Sequence, residues 1–299
     1  MKPWVVLSIG LCVAVIAVAP ALGASNAVTI LWIEIAALAM LMIIVGASVT
    51  GRFLGILIND RNIMSLTRFQ AVLWTVLILA DLATILLGRA WNGGVALSDA
   101  KDLVNPALRP DLLMLMGISY VSAVGSSIVS ANKSGVPTPQ PALEAAKTNL
   151  GDNAAQYTEA QGVLYKNKKS SDAQISDLFE GDELADAHTA DLGKVQMFFF
   201  TIVSAVVFLA GAEGALANAG KAAFDALQTV LAGAKPLIPQ LPQTLIALMG
   251  ISHAAYVGNK AVTRTQSQPV VAAQPSLPAP PQQNVVTSTS TTVSPSIQQ

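Results

Sequence analysis

Charge is what this sequence has least of. Only 12% of its 299 residues are Asp, Glu, Lys or Arg, about half the share of a soluble domain. The net charge of −1 provides no basic field, so no nucleic-acid partner is expected. Aromatic residues are scarce at 5%, and the 53% hydrophobic content is therefore mostly Ala, Leu, Ile and Val. A single cysteine, Cys12, excludes an internal disulfide and any cysteine-based metal site. Leu11 before it departs from the small residue of a lipoprotein signal. No P-loop, GxGxxG, HExxH or calcium-loop pattern occurs, so no catalytic residue, cofactor or metal ligand is expected.

Long apolar runs are what the chain does have. Only a helix satisfies its own backbone in hydrocarbon, and about 18 apolar residues suffice to span it. Five runs qualify as spans beyond the N-terminus: Val28–Val49, Phe69–Gly88, Leu112–Val129, Val195–Ala212 and the shorter Thr244–Val257. The opening "MKPWVVLSIGLCVAVIAVAPALGA" fits both a signal peptide and a first spanning helix. With Lys2 inside, 12 of the 17 lysines and arginines fall on the inner side. The outer five are Arg89, Lys101, Arg109, Lys221 and Lys235. That asymmetry orients the chain in a bacterial inner membrane with its C-terminus cytoplasmic.

"LMGIS" occurs at Leu115–Ser119 and again at Leu248–Ser252. Upstream of the copies lie Leu66-Thr67-Arg68-Phe69-Gln70 and Leu192-Gly193-Lys194-Val195-Gln196, with Trp74-Thr75 and Phe200-Thr201 at equal offsets. Pro106 and Pro110, then Pro239 and Pro242, precede the second helix of each unit. Matches at both ends, in the same order, indicate a duplicated helical hairpin. Both copies run inside–outside–inside, which makes them parallel repeats. At the inner boundary, Arg68 and Lys194 are expected to snorkel to headgroups, and Gln70 and Gln196 to bond between helices. Gly117 and Gly125, with Val121 between them, and Gly250 and Gly258, with Ala254, form small-residue stripes expected to pack helix on helix.

The stretches "GRFLGILINDRNIMSLTRFQAVLWT" and "DLFEGDELADAHTADLGKVQMFFFT" resemble segments of uncharacterised bacterial integral membrane proteins. The resemblance covers about Gly51 to Lys260 and brings no activity with it.

Residues 134–193 follow a Pro-rich start with an expected helix from Pro141 to Lys169. They close on seven acids between Asp172 and Asp191, read as a solvated connector. After Arg264 the chain carries no charge and reads as disordered. The expected organisation is a signal peptide or first spanning helix over 1–24, a spanning helix over 28–50 and a first hairpin over 64–133. A cytoplasmic connector over 134–190, a second hairpin over 191–262 and a tail over 263–299 follow. The fold class is all-α, a polytopic helical membrane protein with two parallel helix-hairpin repeats.

Two chemistries are suggested by single residues. Gly117-Ile118-Ser119 and Gly250-Ile251-Ser252 invite a membrane serine hydrolase. His253, however, follows Ser252 and points about 100° away around a helix, and a duplicated motif argues for packing. Glu34 and Asp81 are more informative, because an ionisable group in the bilayer costs roughly 2.5–3.5 kcal/mol and marks a pair or a pathway. Both lie about 10 Å from the outer ends of their helices. A protonated, hydrogen-bonded pair is the expectation, with an ion or proton route as the alternative. The expected function is non-enzymatic: a membrane scaffold or anchor, self-associating in the bilayer and presenting residues 134–193 to a cytoplasmic protein. The alternative is a channel or transporter subunit using Glu34 and Asp81.

Overall fold

In the computed structural model, residues 3–23, 26–92, 110–219 and 241–265 are described. Pro106, Pro239, four of the five outer cations and the expected disordered tail beyond Thr265 lie outside these residues. Seven helices of eleven or more residues occur among them: α1 (Pro3–Val18), α2 (Ala27–Thr50), α3 (Leu66–Asn92), α4 (Pro110–Ser134), α5 (Gln140–Leu150), α6 (Leu192–Ala219) and α7 (Gln243–Ala261). Five segments are long and apolar enough to cross a membrane: Pro3–Leu22, Ala27–Thr50, Leu66–Asn92, Met114–Ser134 and Leu192–Asn218. The chain is thus compatible with a multi-pass membrane protein. The α7 helix is long, at 19 residues, but is not among the five.

The N-terminal segment packs within the bundle. The α1 helix lies against α2, and the Trp91 indole donates to the Ala17 carbonyl at 2.9 Å while the Asn92 amide donates to Pro20 at 2.8 Å. A buried cluster runs from Ile30, Leu31 and Leu38 on α2, through Trp74, Ile78 and Ile85 on α3, to Leu115 on α4, Phe208 on α6 and Met249 on α7. Trp74 meets Phe208 edge to face at 6.1 Å, the arrangement that ring quadrupoles favour.

Residues 134–191 do not form one long helix. Gly151, at φ +81°, ends α5 in a backbone conformation that glycine adopts without penalty. A β-hairpin follows, β1 (Thr158–Gln161) against β2 (Leu164–Asn167), antiparallel with Gln161 opposite Leu164. Its turn needs Gly162, at φ +65°, where a Cβ would strike the Lys133 carbonyl. The segment after the hairpin adds to it: Tyr165 donates its amide to Asp182 and Leu184 to Val163. The all-α expectation is therefore corrected to a mostly helical chain carrying a small β element. With the α2–α3 loop, where Ile58 bridges Met64, these residues form a cap over one end of the helices.

The small-residue stripes divide: two of the four glycines sit at the contact between α4 and α7, and two do not. Val121 is 73% exposed, and among the described residues a Cβ at Gly117 or Gly258 meets nothing within 4 Å. Gly250 has ordinary contact with Ile118, 3.8 Å away. Only Gly125 is tight, with a Cβ 3.2 Å from Val257 on α7. The close approach that the sequence did not flag is at Gly46, where a Cβ would overlap the backbone amide of Ile56.

Gly125→Leu should therefore lower the melting temperature of detergent-purified protein by several degrees, since overpacking costs about 1–3 kcal/mol. Gly117→Leu should be nearly silent. Equal losses from both would mean that the face carrying Gly117 is covered.

Candidate functional site

Helical geometry sorts the interior. At 100° per residue, Gln70, Trp74, Leu77, Asp81, Thr84 and Gly88 share one face of α3, and all six are buried. On α4 the buried face is Leu115, Ser119, Ser122, Ser126 and Lys133. On α7 it is Ile246, Met249, His253 and Tyr256, with Lys260 in line. A chain with little charge thus places much of its polarity inside the bundle.

Glu34 and Asp81 lie at 0% and 1% exposure, on the packed pair α2 and α3. Neither carboxylate has a hydrogen-bond partner among the described residues. The hydrogen-bonded pair expected from the sequence is not formed. Ser119 and Ser122 also leave buried hydroxyls without partners, whereas Thr84, Thr201 and Ser204 each donate to the carbonyl four residues back. Arg89 is buried too, with Nε and Nη1 unpartnered among the described residues. It sits eight residues beyond Asp81, about 12 Å of rise away.

The two glutamines of the duplicated motif diverge. Gln70 is buried: its amide donates to Thr201 Oγ1 at 2.6 Å, and its other end meets His253 Nε2 at 3.1 Å. The opposite ring nitrogen, Nδ1, is 2.8 Å from the Met249 carbonyl and must carry a proton there. A neutral ring then requires the Gln70 amide to donate to Nε2, with the Thr201 hydroxyl turning to Gln70 Oε1. Either way both nitrogens are engaged by Met249 and Gln70 rather than by a serine. Gln196 is exposed and lines a groove of about 290 Å³ between α6 and α7.

The boundary cations diverge as well. Arg68 is exposed and donates to the Ile58 carbonyl at 2.6 Å. Lys194 is only 3% exposed and does not reach toward headgroups. Its ammonium donates to the Glu180 carbonyl and to Asp182 at 3.3 Å. Asp182 also holds Arg61 at 2.6 Å and Lys260 at 3.0 Å. Its neighbour Glu183 accepts from Lys133 at 2.5 Å and from the backbone amides of Arg264 and Thr265. Two consecutive acids therefore tie the α2–α3 loop, the end of α4, the start of α6 and the end of α7 to the cap.

This corrects the solvated reading of the acidic run, since none of its seven acids is fully exposed. Burial alone would raise the Asp182 carboxyl, but the surrounding Lys194, Lys260 and Arg61 reverse the shift and hold it well below the usual carboxylate range. Asp177 differs. Burial pushes it up to about 6, although its carboxylate accepts from the Met64 and Gln174 amides.

Asp182→Asn should cost about 3–5 kcal/mol, because it strands three cations in a largely buried site. A depressed carboxyl contributes stability above its unfolded value, about 3.9, and loses it only as pH falls through the folded value. The cost of Asp182→Asn should therefore be the same at pH 7 and pH 5. Asp177 has the opposite sign: its contribution is full below about 4 and is lost as pH rises through about 6. Melts of Asp177→Asn against wild type should favour the variant more at pH 7 than at pH 5.

No protein-family model, curated protein or solved structure matches the chain.

Proposed function

We infer that this is a bacterial inner-membrane scaffold or anchor, with the cap and the C-terminus in the cytoplasm and the cap as its presented surface. The observation that carries the reading is the Asp182–Glu183 clamp, which fixes the cap to the ends of four chain segments. A partner would thus meet a preassembled surface without the ordering cost of a floppy connector. A cleft of about 440 Å³ opens on that surface, lined by Leu150, Ser176, Phe179, His188 and Thr189 among others. The inner excess of lysine and arginine supports the orientation.

We also read α3–α4 and α6–α7 as two parallel hairpin repeats. Ile118 meets Gly250 and Gly125 meets Val257, so advancing seven residues on α4 advances seven on α7. That is the relation expected of two copies side by side. Because residues 3–23 pack into the bundle, residues 1–24 are read as a retained first spanning helix.

A second reading, a channel or transporter subunit, is favoured by one observation. Glu34 and Asp81 are buried without partners among the described residues, the state in which membrane carboxylates usually mark a pathway.

A reporter that is active only in the periplasm should stay silent when fused after Lys169; activity there would reverse the orientation. For the scaffold, a stoichiometric protein should co-purify from gently solubilised membranes. Its loss with His188→Glu, at unchanged melting temperature, would place it on the cleft. Purification of the chain alone, beside ion flux in proteoliposomes, would replace the scaffold with the second reading.

A further inference from the structure

We propose that copies of this chain associate head to tail in the bilayer. The α6–α7 face of one copy packs on the α3–α4 face of the next, as its own two hairpins pack on each other. The inference rests on the reading of α3–α4 and α6–α7 as parallel repeats. Inside one chain α6 lies against α3, and α7 against α4. The first hairpin contributes Gln70, Ile118 and Gly125 to that contact. The second answers with Thr201 and His253, with Gly250 and with Val257 respectively.

The contact is one-sided. The counterpart of Ile118 in the second hairpin is Ile251, and that of Gly250 in the first is Gly117. Hairpins related by a twofold axis would make both contacts, Ile118 with Gly250 and Ile251 with Gly117. Only the first is made: Ile251 is 67% exposed, and a Cβ at Gly117 meets nothing within 4 Å among the described residues. Gly125 and Val257 repeat the pattern. They touch, whereas their counterparts do not: a Cβ at Gly258 finds open space among the described residues, and Val124 is 58% exposed. The interface between the hairpins is therefore heterologous, and such an interface leaves one unused half at each end.

The unused halves resemble the buried ones residue by residue. The groove between α6 and α7 is lined by Gln196, Phe200, Leu248, Ile251, Ser252 and Asn259 among others. Their counterparts in the first hairpin are Gln70, Trp74, Leu115, Ile118, Ser119 and Ser126. Five of these six are buried, and Ile118 is half-buried. On the other free face Thr75 and Tyr120 hold the positions that Thr201 and His253 hold in the second hairpin, and their hydroxyls meet at 3.3 Å. Thr201 and His253 engage Gln70. Thr75 and Tyr120 of a neighbouring copy offer the exposed Gln196 two hydroxyls, each able to donate or accept.

Lipid is the competing occupant, and the residue types decide against it. An exposed isoleucine or valine is ordinary on a helix in lipid, but a glutamine gains nothing from acyl chains. Bare glycines give those chains little to pack against, while they let a second helix come close. Because every copy keeps a free half on each side, association continues past the dimer. It forms a ring where the rotation between copies closes and a row where it does not.

The test is disulfide trapping of the full chain in membranes, in a Cys12→Ala background. The Cβ position at Gly125 is 3.2 Å from Val257 Cγ1, within disulfide reach. Gly125→Cys with Val257→Cys should therefore close inside one chain, with both thiols lost from a monomer-sized band. Val124→Cys with Gly258→Cys should instead link chain to chain, giving dimers, trimers and higher species, while either change alone gives monomer. In liposomes, energy transfer between donor- and acceptor-labelled copies reads the association directly. Gly117→Leu should weaken it about tenfold or more, as overpacking a close contact does, with the melting temperature in detergent unchanged. Gln196→Ala should weaken it about threefold, the usual worth of one hydrogen bond between membrane helices. Monomer alone from Val124→Cys with Gly258→Cys, beside a closed internal pair, would overturn the head-to-tail assembly and leave the repeats standing. Dimers from a single-cysteine variant would overturn it in favour of a twofold contact, and energy transfer indifferent to Gly117→Leu would also overturn it. Failure of Gly125→Cys and Val257→Cys to close would overturn the repeat reading, and this inference with it.

Discussion

The Asp182 carboxylate is the interaction on which the rest of this structure depends. Three cations from three parts of the chain, Arg61, Lys194 and Lys260, converge on it. Removing charges from water is expensive, and the attraction between them repays that cost only when geometry and hydrogen bonding are good. Here they are. Arg61 donates to the Asp182 side chain and to the Tyr165 and Asp182 carbonyls, and Lys133 supplements its bond to Glu183 with the Lys260 and Val262 carbonyls. What such a cluster supplies is uniqueness of arrangement more than net stability. Apolar helices slide and rotate against one another at little cost in lipid, because no hydrophobic force acts between them there. One acid shared by three cations admits a single register.

The same clamp explains why the cap has a defined form despite little apolar material of its own. Its small clusters are completed by the bundle: Met197 of α6 and Tyr256 of α7 pack with Ile58, Met64 and Leu178. The Phe179 ring meets Phe198 at 5.1 Å. The cap is thus a continuation of the helix ends, and its β-hairpin hangs on Lys133 and Asp182 backbone groups as much as on its own ladder.

Much of the helical frame was legible from apolar run length alone, because hydrocarbon thickness imposes a minimum length that a reader can count. The positions of Glu34, Asp81 and Gln70 inside that frame were legible for the same reason. The acidic run was not. Its cationic partners lie 12 to 121 residues away along the chain, and a lone sequence exposes charge pairing only at one-turn spacing. The glycine stripes were half legible, for a different reason: Gly125 and Gly250 meet the facing helix, while Gly117 and Gly258 meet nothing within 4 Å among the described residues. In a soluble helix the apolar, small face turns inward, but a helix in lipid is apolar on its outer face as well. Period 3.6 then identifies a face without saying which way it points. The serines at 119, 122 and 126 carried the answer, since a polar group facing hydrocarbon costs more than one facing a neighbour.

Polar groups among the described residues fall into two populations. At the cap every charged group of the clamp is satisfied, several of them two- or threefold. In the middle of the bundle Glu34, Asp81, Ser119 and Ser122 are buried and, among the described residues, leave their polar side-chain atoms unpaired. Folded proteins pair more than nine in ten buried polar groups, and the exceptions call for an explanation. A chain able to assemble the Asp182 clamp has the means to pair two carboxylates, or to replace them with leucine at a gain in stability. Among the described residues Asp81 keeps its carboxylate bare on an interior face of α3 that it shares with Gln70 and Thr84.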